Sequence, residues 1–346
     1  MTRSGNGGSP ERPLTMSAST SNLHSPTSKS RLLPEPLPVP SAQLERYRLR
    51  LRQRDRATVP GAHLIRQRGQ SLEFREFRPY LPGDDIRHVD WRASARYHRP
   101  DELLIRTFEH EAQTRLVVSI DTRATMRLPE SASKLQLALW FAEAIAYIAG
   151  RSGDAVALHA LYGPGHRSVV ELGVSTDRAR IRQGLRRLVA LEPAVRPQWS
   201  ALERALPPGS VWLVLTDLYF EHDADVAGLA ARVREAQHGS RWVVVVDFDS
   251  WATESAGAGR GLRQIDGPGA GAGERRVRLT DGLLDEVKGR IEERKRRFDR
   301  GAAAGGYDRL RWTWPEDARP AAAAIFREHF FGQAIVRRLV MTDRLR

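Results

Sequence analysis

Hydrophobic strands alternate with amphipathic helices along the chain from residue 116 onward. Residues 116–120 and 211–215 are apolar except for one serine, which is typical of strands buried on both faces of a sheet. Between them, residues 133–149 would be apolar on most sides of a helix, which predicts a buried helix. Such alternation indicates an α/β fold with a doubly wound, mostly parallel sheet that is covered on both faces.

We assign residues 116–346 to this α/β domain. The other expected strands lie at 155–161, 167–172, 241–246, 276–279 and 309–314. The other expected helices lie at 176–191, 200–206, 226–237, 281–303 and 320–334. A Gly/Ala-rich stretch from 253 to 273 is typical of a flexible loop.

Two further segments precede this domain. Residues 1–40 are rich in Ser, Pro, Gly and Thr and contain few large apolar residues, so we expect a disordered tail. In residues 41–115, Ser41 is expected to cap a helix from Ala42 to about Arg56, where apolar side chains recur at helical spacing. Arginines at every second position of the same stretch leave a strand as the alternative.

The rest of this second segment is expected to be irregular, with a few short strands. Apolar and charged residues alternate over 72–77, as in a half-buried strand, and residues 103–108 are expected to form a second strand. Between them, Asp84 or Asp85 is placed to cap a short helical turn that continues through Trp91.

Composition and charge exclude several classes of protein. The chain of 346 residues contains no cysteine, which rules out disulfides, thiolate metal sites and cysteine nucleophiles. No apolar run approaches the roughly 20 residues that span a bilayer, and no apolar signal core is found, so we expect a cytoplasmic protein without a transmembrane segment. The net charge of +13 permits attraction to nucleic acid, but no stacking platform accompanies it, so we expect no specific nucleic-acid partner.

A long motif in the second segment resembles the signature of a bacterial family called domain of unknown function 58. The motif includes Pro82-Gly-Asp-Asp-Ile-Arg87 and Asp90-Trp91, and the chain also matches the family at Phe108-Glu-His-Glu111 and Leu215-Thr-Asp217. The resemblance covers roughly residues 41–340. It implies a von Willebrand factor A-like domain and a partner among the MoxR-type AAA+ ATPases, while no catalytic activity is established for the family.

The resemblance also selects motif residues that we expect to be structural. They are Glu73, Phe74, Arg78, Pro79, Tyr80, Gly83, Asp84, Asp85, Arg87, Asp90, Trp91 and Arg96. Carboxylates and arginines lie side by side in this set, which favours an ion-pair and capping network that fixes an irregular segment. Paired carboxylates could instead perform acid–base chemistry, and that alternative stays open.

A von Willebrand factor A-like domain often carries a metal-ion-dependent adhesion site, in which hydroxyls and carboxylates hold Mg²⁺. The resemblance places its positions at Asp121, Thr125, Ser200 and Asp217, but Arg123 stands where a serine is usual. A guanidinium has five donors and no lone pair, so it cannot bind Mg²⁺. We therefore expect a degenerate site in which Arg123 replaces the metal between the two aspartates. A functional divalent site, or carboxylates that are simply solvated, are the alternatives.

Together these features favour a non-enzymatic cytosolic interaction or scaffold protein, without a catalytic residue or cofactor, that binds a MoxR-type AAA+ ATPase. Two other classes stay open. The first is a metal-dependent hydrolase that uses Asp84, Asp85 or Asp121, although no nucleophile motif accompanies these residues. The second is a basic protein that binds nucleic acid or a membrane surface through its N-terminal part.

Overall fold

The computed structural model of the protein describes residues 35–49, 72–81, 86–96, 103–110, 114–194, 196–239, 241–266, 274–303, 306–315, 321–333 and 340–342. Its strands are β1 (Tyr47–Leu49), β2 (Leu72–Pro79), β3 (Leu104–His110), β4 (Arg115–Ile120), β5 (Ala155–Ala160), β6 (Val169–Gly173), β7 (Val211–Thr216), β8 (Trp242–Asp249), β9 (Gly261–Asp266), β10 (Glu274–Leu279), β11 (Asp308–Thr313) and β12 (Val340–Thr342). Its helices are α1 (Ser41–Leu44), α2 (Trp91–Arg96), α3 (Lys134–Arg151), α4 (Arg178–Val189), α5 (Trp199–Ala205), α6 (Asp223–His238), α7 (Trp251–Gly257), α8 (Asp281–Ala302) and α9 (Ala322–Gly332).

The central sheet contains six strands in the order β11-β8-β7-β4-β5-β6. Its neighbouring strands are parallel except for β6, which runs antiparallel to β5 at one edge. All residues of β7 are buried, because a strand in the middle of a doubly covered sheet has no solvent-facing side. The expected doubly wound, mostly parallel α/β fold is confirmed.

Two layers of helices cover the two faces of this sheet. Helices α3, α4 and α9 pack against the face that carries Val118 and Leu213, and helices α5, α6 and α8 pack against the face that carries Val117 and Val214. Helix α3 is buried from Lys134 to Gly150, in agreement with its apolar sequence. Its N-cap is Ser133, whose Oγ accepts a hydrogen bond of 3.1 Å from the Gln136 backbone N–H.

The direction of winding reverses between β4 and β7. From β4 the chain proceeds outward to β5 and β6, and it then returns to β7 on the other side of β4 before it continues to β8 and β11. In sheets of this kind, ligands bind outside the carboxyl ends of the strands at the point of reversal. The ends of β4 and β7 are therefore the place where the fold positions a site.

The helix expected from Ala42 to about Arg56 is wrong in its described part. Helix α1 ends at Leu44, and Pro40 rather than Ser41 lies at its N-cap position. The next residues form β1, which pairs antiparallel with β12, in agreement with the strand that the alternating arginines left open. Pairing with β12 satisfies backbone groups of Tyr47–Leu49, and the Leu49 N–H donates to Ser152 Oγ at 3.0 Å. Residues 50–56 lie outside the described residues.

The flexible loop expected over 253–273 is also wrong where the structure describes it. Helix α7 extends to Gly257, and β9 pairs antiparallel with β10 in a continuous register from Gly261 opposite Leu279. The sequence of small residues did not predict this helix, because α7 is stabilised by tertiary contacts rather than by a local pattern. One such contact is the hydrogen bond of 2.7 Å from Thr253 Oγ1 to the Pro315 carbonyl. Residues 267–273 lie outside the described part of the chain.

The last residues of the expected disordered tail are packed. Leu37 and Val39 are buried in the core that includes α3. The Trp140 indole N–H donates to the Glu35 carbonyl at 2.9 Å, and the Glu35 N–H donates to Gln136 Oε1 at 3.2 Å. Two apolar side chains spaced by one residue suffice for this packing, so the boundary at residue 40 is too late. Residues 1–34 lie outside the described residues.

The other expected elements that the structure describes are present, with ends shifted by a few residues. One difference affects the site: β8 continues to Asp249, so Asp247 lies within the strand rather than at its end. None of the described helices is both long enough and apolar enough to cross a bilayer. The boundary at residue 116 between the second segment and the α/β domain stays a prediction.

Candidate functional site

Two aspartates meet at the point where the winding of the sheet reverses. Asp121 directly follows β4, and Asp217 directly follows the neighbouring parallel strand β7. Both side chains are completely buried. Two unpaired carboxylates in such a place would repel each other and one would take up a proton, so their partners determine what the site is.

The guanidinium of Arg123 lies between these two carboxylates. Its Nε is 3.0 Å from Asp121 Oδ1, and its Nη2 is 2.5 Å from Asp121 Oδ2 and 3.1 Å from Asp217 Oδ1. Its Nη1 donates to the Tyr219 carbonyl at 3.1 Å. Burial alone would lower the pKa of the Arg123 guanidinium, but Asp121 and Asp217 outweigh burial and hold that pKa above its ordinary value.

Aromatic rings enclose the same guanidinium. Its central carbon lies 4.9 Å from the centre of the Tyr162 ring and 4.6 Å from the centre of the Phe220 ring. A planar guanidinium gains from stacking on aromatic faces as well as from a carboxylate, which a lysine at this position would not reproduce. Only 12% of the Arg123 side chain is exposed. The Arg123 guanidinium therefore belongs to the interior of the protein and is not a surface group.

A second cation, Lys134, reaches Asp217 from the first turn of α3. Its Nζ lies 3.1 Å from Asp217 Oδ2 and 2.7 Å from Glu254 Oε1, and its side chain is completely buried. Ser250 Oγ also donates to Glu254 Oε1. Burial would raise the pKa of the Asp217 carboxyl, but Lys134 and Arg123 lower it to about 2. Asp217 is therefore a charged carboxylate at neutral pH.

Three of the four carboxylate oxygens of the two aspartates accept hydrogen bonds from the protein, and the fourth, Asp217 Oδ2, is ion-paired with Lys134 without a hydrogen bond among the described residues. Asp121 Oδ1 accepts from Arg123, and Asp121 Oδ2 accepts from both Arg123 and Thr216 Oγ1, the latter at 2.8 Å. Asp217 Oδ1 accepts from Arg123 and from the Tyr219 N–H, the latter at 2.9 Å, and Oδ2 faces Lys134.

The backbone of Leu218, between Asp217 and Tyr219, has φ 57°, a left-handed conformation that is unusual for a leucine and costs about 1–3 kcal/mol. The hydrogen bonds on either side of Leu218 hold this turn.

A second carboxylate cluster lies beside the first, along β8 and β11. Lys295 Nζ is 2.8 Å from Asp247 Oδ1 and 3.1 Å from Asp249 Oδ2. Arg309 Nη2 is 2.6 Å from Asp247 Oδ2. Burial would raise the pKa of the Asp249 carboxyl, but Lys295 outweighs it and lowers that pKa. Both acids of β8 are thus paired with cations, as are Asp121 and Asp217.

Tyr219 connects the two clusters. Its backbone N–H binds Asp217, and its hydroxyl donates to Asp249 Oδ1 at 2.9 Å. The Nζ atoms of Lys134 and Lys295 lie 4.3 Å and 5.0 Å from the centre of its ring. Burial and the surrounding carboxylates raise the pKa of the tyrosine hydroxyl. At neutral pH this hydroxyl therefore keeps its proton and donates to Asp249 while the Tyr219 backbone holds Asp217, so the network fixes the loops at the carboxyl edge of the sheet.

The other positions of the expected adhesion site form no hydrogen bond with this network among the described residues. Thr125 Oγ1 is buried on the Arg123 loop, and it has no hydrogen-bond partner among the described residues. Ser200 is exposed in α5, and within the described ranges no hydrogen bond joins it to either aspartate. Of the expected set, the structure brings together Asp121, Arg123 and Asp217. In the part of the chain that the structure describes, no three His, Asp or Glu residues are grouped as a metal site requires.

The motif residues of the second segment are only partly described. Glu73, Phe74, Arg78 and Pro79 belong to β2, which pairs antiparallel with β3, and Tyr80 N–H donates to the Leu103 carbonyl at 2.7 Å. Gly83, Asp84 and Asp85 lie outside the described residues. The cap that the structure describes is Asp90, whose Oδ1 accepts from the Arg92 and Ala93 N–H groups at 3.0 Å each. Trp91, Arg87 and Arg96 are exposed, with Trp91 at 61%.

Sequence reasoning missed the partners that complete the network. They are Lys134, Glu254, Lys295, Asp247 and Arg309. A signal existed for Lys134, since it is a lone cation at the start of a helix that carries no other charge before Glu143. No such signal marked Lys295, because it is one of many charged residues on α8. Positive and negative charges alternate along this helix, which is typical of a solvent-exposed helix.

Comparison with known proteins gives a family and a distant structural likeness. The model of the family described as "Protein of unknown function DUF58" matches residues 76–248. No curated protein matches the chain. Among solved structures, the crystal structure of the conserved hypothetical protein BatB from Bacteroides thetaiotaomicron is similar to this chain at 13% identity. That likeness covers 63% of this chain and 100% of the other, with a TM-score of 0.33.

Proposed function

The chain belongs to the family described as protein of unknown function DUF58, and from this premise we propose that it is a non-enzymatic interaction or scaffold protein. Its α/β domain acts as a von Willebrand factor A-like module, and its partner is a MoxR-type AAA+ ATPase in the cytosol. The motif resemblance motivates the subtype, the partner and the location. The site motivates the absence of catalysis, and it carries the proposal.

The single observation behind a non-catalytic role is that the chain's own cations fill the place where a doubly wound sheet binds ligands. Arg123 lies between the carboxylates that follow β4 and β7, and Lys134 pairs with the second of them, Asp217. A general base needs a free lone pair within reach of a substrate. Three oxygens of Asp121 and Asp217 already accept hydrogen bonds, the fourth is ion-paired with Lys134, and both side chains are completely buried and so out of reach of a substrate.

The same residues are a poor fit for a divalent metal. Mg²⁺ requires oxygen ligands in near-octahedral geometry, and Arg123 has no lone pair to offer. Its guanidinium already binds both carboxylates that the ion would need. We therefore interpret Asp121, Thr125, Ser200 and Asp217 as positions of a degenerate adhesion site in which Arg123 replaces the metal.

A partner would contact the loops around this network rather than the aspartates themselves, since those are buried. Leu128, on the loop after Arg123, is 43% exposed, and Glu221, on the loop after Tyr219, is exposed as well. We propose that these two loops form the surface on which the ATPase binds. The network behind them holds both loops in one arrangement, so the surface is preorganised.

The test is a binding measurement between the purified full chain and a purified MoxR-type ATPase, with and without ATP, by calorimetry. We expect binding that weakens tenfold or more when Leu128→Asp and Glu221→Arg are combined. The matched control is Leu262→Asp, which alters an exposed leucine on β9 and should bind as the wild type does. No binding by the wild type in either nucleotide state would contradict the ATPase as partner. If the loop variant binds as tightly as the wild type, the two loops are excluded as the binding surface, while the ATPase remains the proposed partner.

A further inference from the structure

Helix α2 is fastened to β3 by its inner face. Asp90 caps the helix, and its backbone N–H donates to the Leu104 carbonyl at 2.9 Å. Ser94 is buried one turn later, and its Oγ accepts a hydrogen bond of 2.8 Å from the Leu104 N–H. These bonds at both ends of one turn determine which side of α2 faces the protein, and therefore which side faces outward.

The outward side of α2 is apolar. Trp91 is 61% exposed, and Ala95, four residues later and thus on the same side of a helix, is exposed too. Ile86, on the 3-10 turn just before α2, is 58% exposed. Trp91 directly follows the capping aspartate, so its position on the rigid first turn is fixed although its side chain is not buried.

Exposed apolar side chains are concentrated in this part of the molecule. Seven large apolar side chains are exposed among the described residues, and four of them come from residues 77–91. The four are Phe77, Leu81, Ile86 and Trp91. Single exposed apolar residues need no explanation, but a group of them in one short segment, with a tryptophan, is typical of an interaction site.

Two arginines border the apolar side. Arg92 and Arg96 are four residues apart, one position after Trp91 and Ala95 respectively, so they form a parallel stripe on the adjacent side of α2. Both are exposed, and neither forms an ion pair with another described residue. Tryptophan and arginine are the residue types most enriched among those that carry binding energy in protein interfaces.

We propose that Ile86, Trp91, Arg92, Ala95 and Arg96 form a docking surface, which we call the α2 surface, for an acidic protein segment with an apolar anchor. The anchor packs on Trp91 and Ile86, and carboxylates of the segment pair with Arg92 and Arg96. This inference rests on the proposed role as an interaction protein, and it assigns a second set of residues in addition to the loops after β4 and β7.

Charge selects this occupant over others. The chain's own segment 50–71 carries six arginines and one aspartate, so it would be repelled by the two arginines. A second copy of the chain, with a net charge of +13, would bring its own arginines to the contact. Recognition of an anionic membrane typically uses clusters of about 4–8 basic residues, and the α2 surface offers two. An acidic protein segment satisfies both the apolar and the charged stripe.

The test places a photo-crosslinking amino acid, p-benzoylphenylalanine, at Trp91 in the full chain expressed in its native cells. The matched control carries it at Leu262, which is 66% exposed on β9. We expect crosslinks from position 91, absent from position 262, to an acidic segment identified by mass spectrometry. Arg92→Glu combined with Arg96→Glu should reduce these crosslinks tenfold or more. Reversal of the exposed Arg276 and Arg278 should leave them unchanged.

The outcomes separate this surface from the proposed ATPase partner. Crosslinks at 91 to an acidic segment of another protein support the surface and count against the ATPase as its occupant. Crosslinks to lipid, to a second copy of this chain, or to no protein overturn the surface, whatever the calorimetry with the ATPase shows. Crosslinks that persist after charge reversal also overturn it, since the acidic character of the partner would then have no role.

Discussion

Arg123 and Asp217 are 94 residues apart in sequence, and a hydrogen bond of 3.1 Å joins Nη2 of the first to Oδ1 of the second. The bond connects the loop after β4 with the loop after β7 across the centre of the sheet. It makes the two loops one structural unit, and its removal should affect stability, metal binding and loop position in ways that can be measured separately.

Replacement of Arg123 by serine should create a weak divalent-metal site. The change removes the guanidinium from both carboxylates and restores the Asp-x-Ser-x-Thr order from residue 121. Calorimetry at millimolar Mg²⁺ or Mn²⁺ should show binding by Arg123→Ser and none by the wild type. Arg127→Ser, on the same loop, is the control and should bind no metal. Robust wild-type binding that Asp121→Ala abolishes would revive an intact adhesion site.

Replacement of Asp217 by asparagine should strongly destabilise the fold. The change leaves the buried Lys134 with one carboxylate fewer and Arg123 without its bond across the sheet. Breaking a buried ion pair on one side typically costs about 3–5 kcal/mol of unfolding free energy. Urea titration should show this loss, whereas Glu171→Gln, at an exposed ion pair, should change the value by less than about 1 kcal/mol. Equal effects of the two changes would contradict a special role for the buried pair.

The pH dependence of stability should reflect His159. This residue of β5 is fully buried, with Nδ1 2.8 Å from Ser119 Oγ on β4, and burial lowers the pKa of its imidazole to about 3 from an ordinary value of 6.5. Between these values the unfolded chain binds more protons than the folded one. The free energy of unfolding should therefore fall as the pH decreases from 6.5 toward 3, by up to about 1.4 kcal/mol per pH unit.

Two buried carboxyl groups also affect the free energy of unfolding, each in its own pH range. Asp217 has a pKa near 2 in the folded protein against an ordinary 3.8, so its stabilising contribution is lost only as the pH falls from 3.8 toward 2. Glu143, whose pKa burial raises, acts in the opposite direction, since its contribution is lost as the pH rises through the folded pKa. His159→Leu should flatten the slope measured by urea titration between pH 6 and pH 4. The exposed His166→Leu should keep it, and identical slopes in both variants would contradict the assignment.

Removal of residues 1–40 should destabilise the protein more than removal of residues 1–34. The six residues between these ends bury Leu37 and Val39, and each buried side chain of this kind contributes about 1.5–3 kcal/mol. Comparison of the two shortened chains by thermal melting isolates this contribution. Equal melting temperatures would mean that the packing of Leu37 and Val39 contributes nothing to stability.

Two neighbouring residues of α2 should separate stability from binding. Asp90→Ala removes the cap and should cost about 0.5–2 kcal/mol of unfolding free energy. Trp91→Ala, at an exposed position, should change it by less than about 0.5 kcal/mol. Urea titration of both variants checks this contrast. A cost of several kcal/mol for Trp91→Ala would mean that the tryptophan is buried in solution, which would remove the basis for the α2 surface.

The sequence was sufficient for the sheet and for the core of the site because both depend on local patterns. Continuous apolar runs identified β4 and β7, and the rule that parallel strands end at one edge brought Asp121 and Asp217 together. Arg123 could be placed because it lies two residues from Asp121 and has the reach and charge that two buried carboxylates require.

The remainder depended on contacts between distant parts of the chain. The Gly/Ala-rich composition around Glu254 predicted a loop, yet its ion pair with Lys134 spans 120 residues and no local pattern encodes it. The same holds for β1, whose strand conformation depends on β12. Trp91 shows a different limit: an aromatic residue beside a cap is compatible with a buried or an exposed position, and only the orientation fixed by Ser94 decides between them.

The pairing of β1 with β12 also has a mechanical consequence. Tyr47 lies opposite Thr342 and Leu49 lies opposite Val340, so the outer ends of both strands are at the same end of the ribbon. Tension applied directly between Tyr47 and Thr342 would act on that end and separate the residue pairs one after another. The ribbon should therefore open at low force, before the parallel strands of the central sheet separate and while the Arg123 network is still intact.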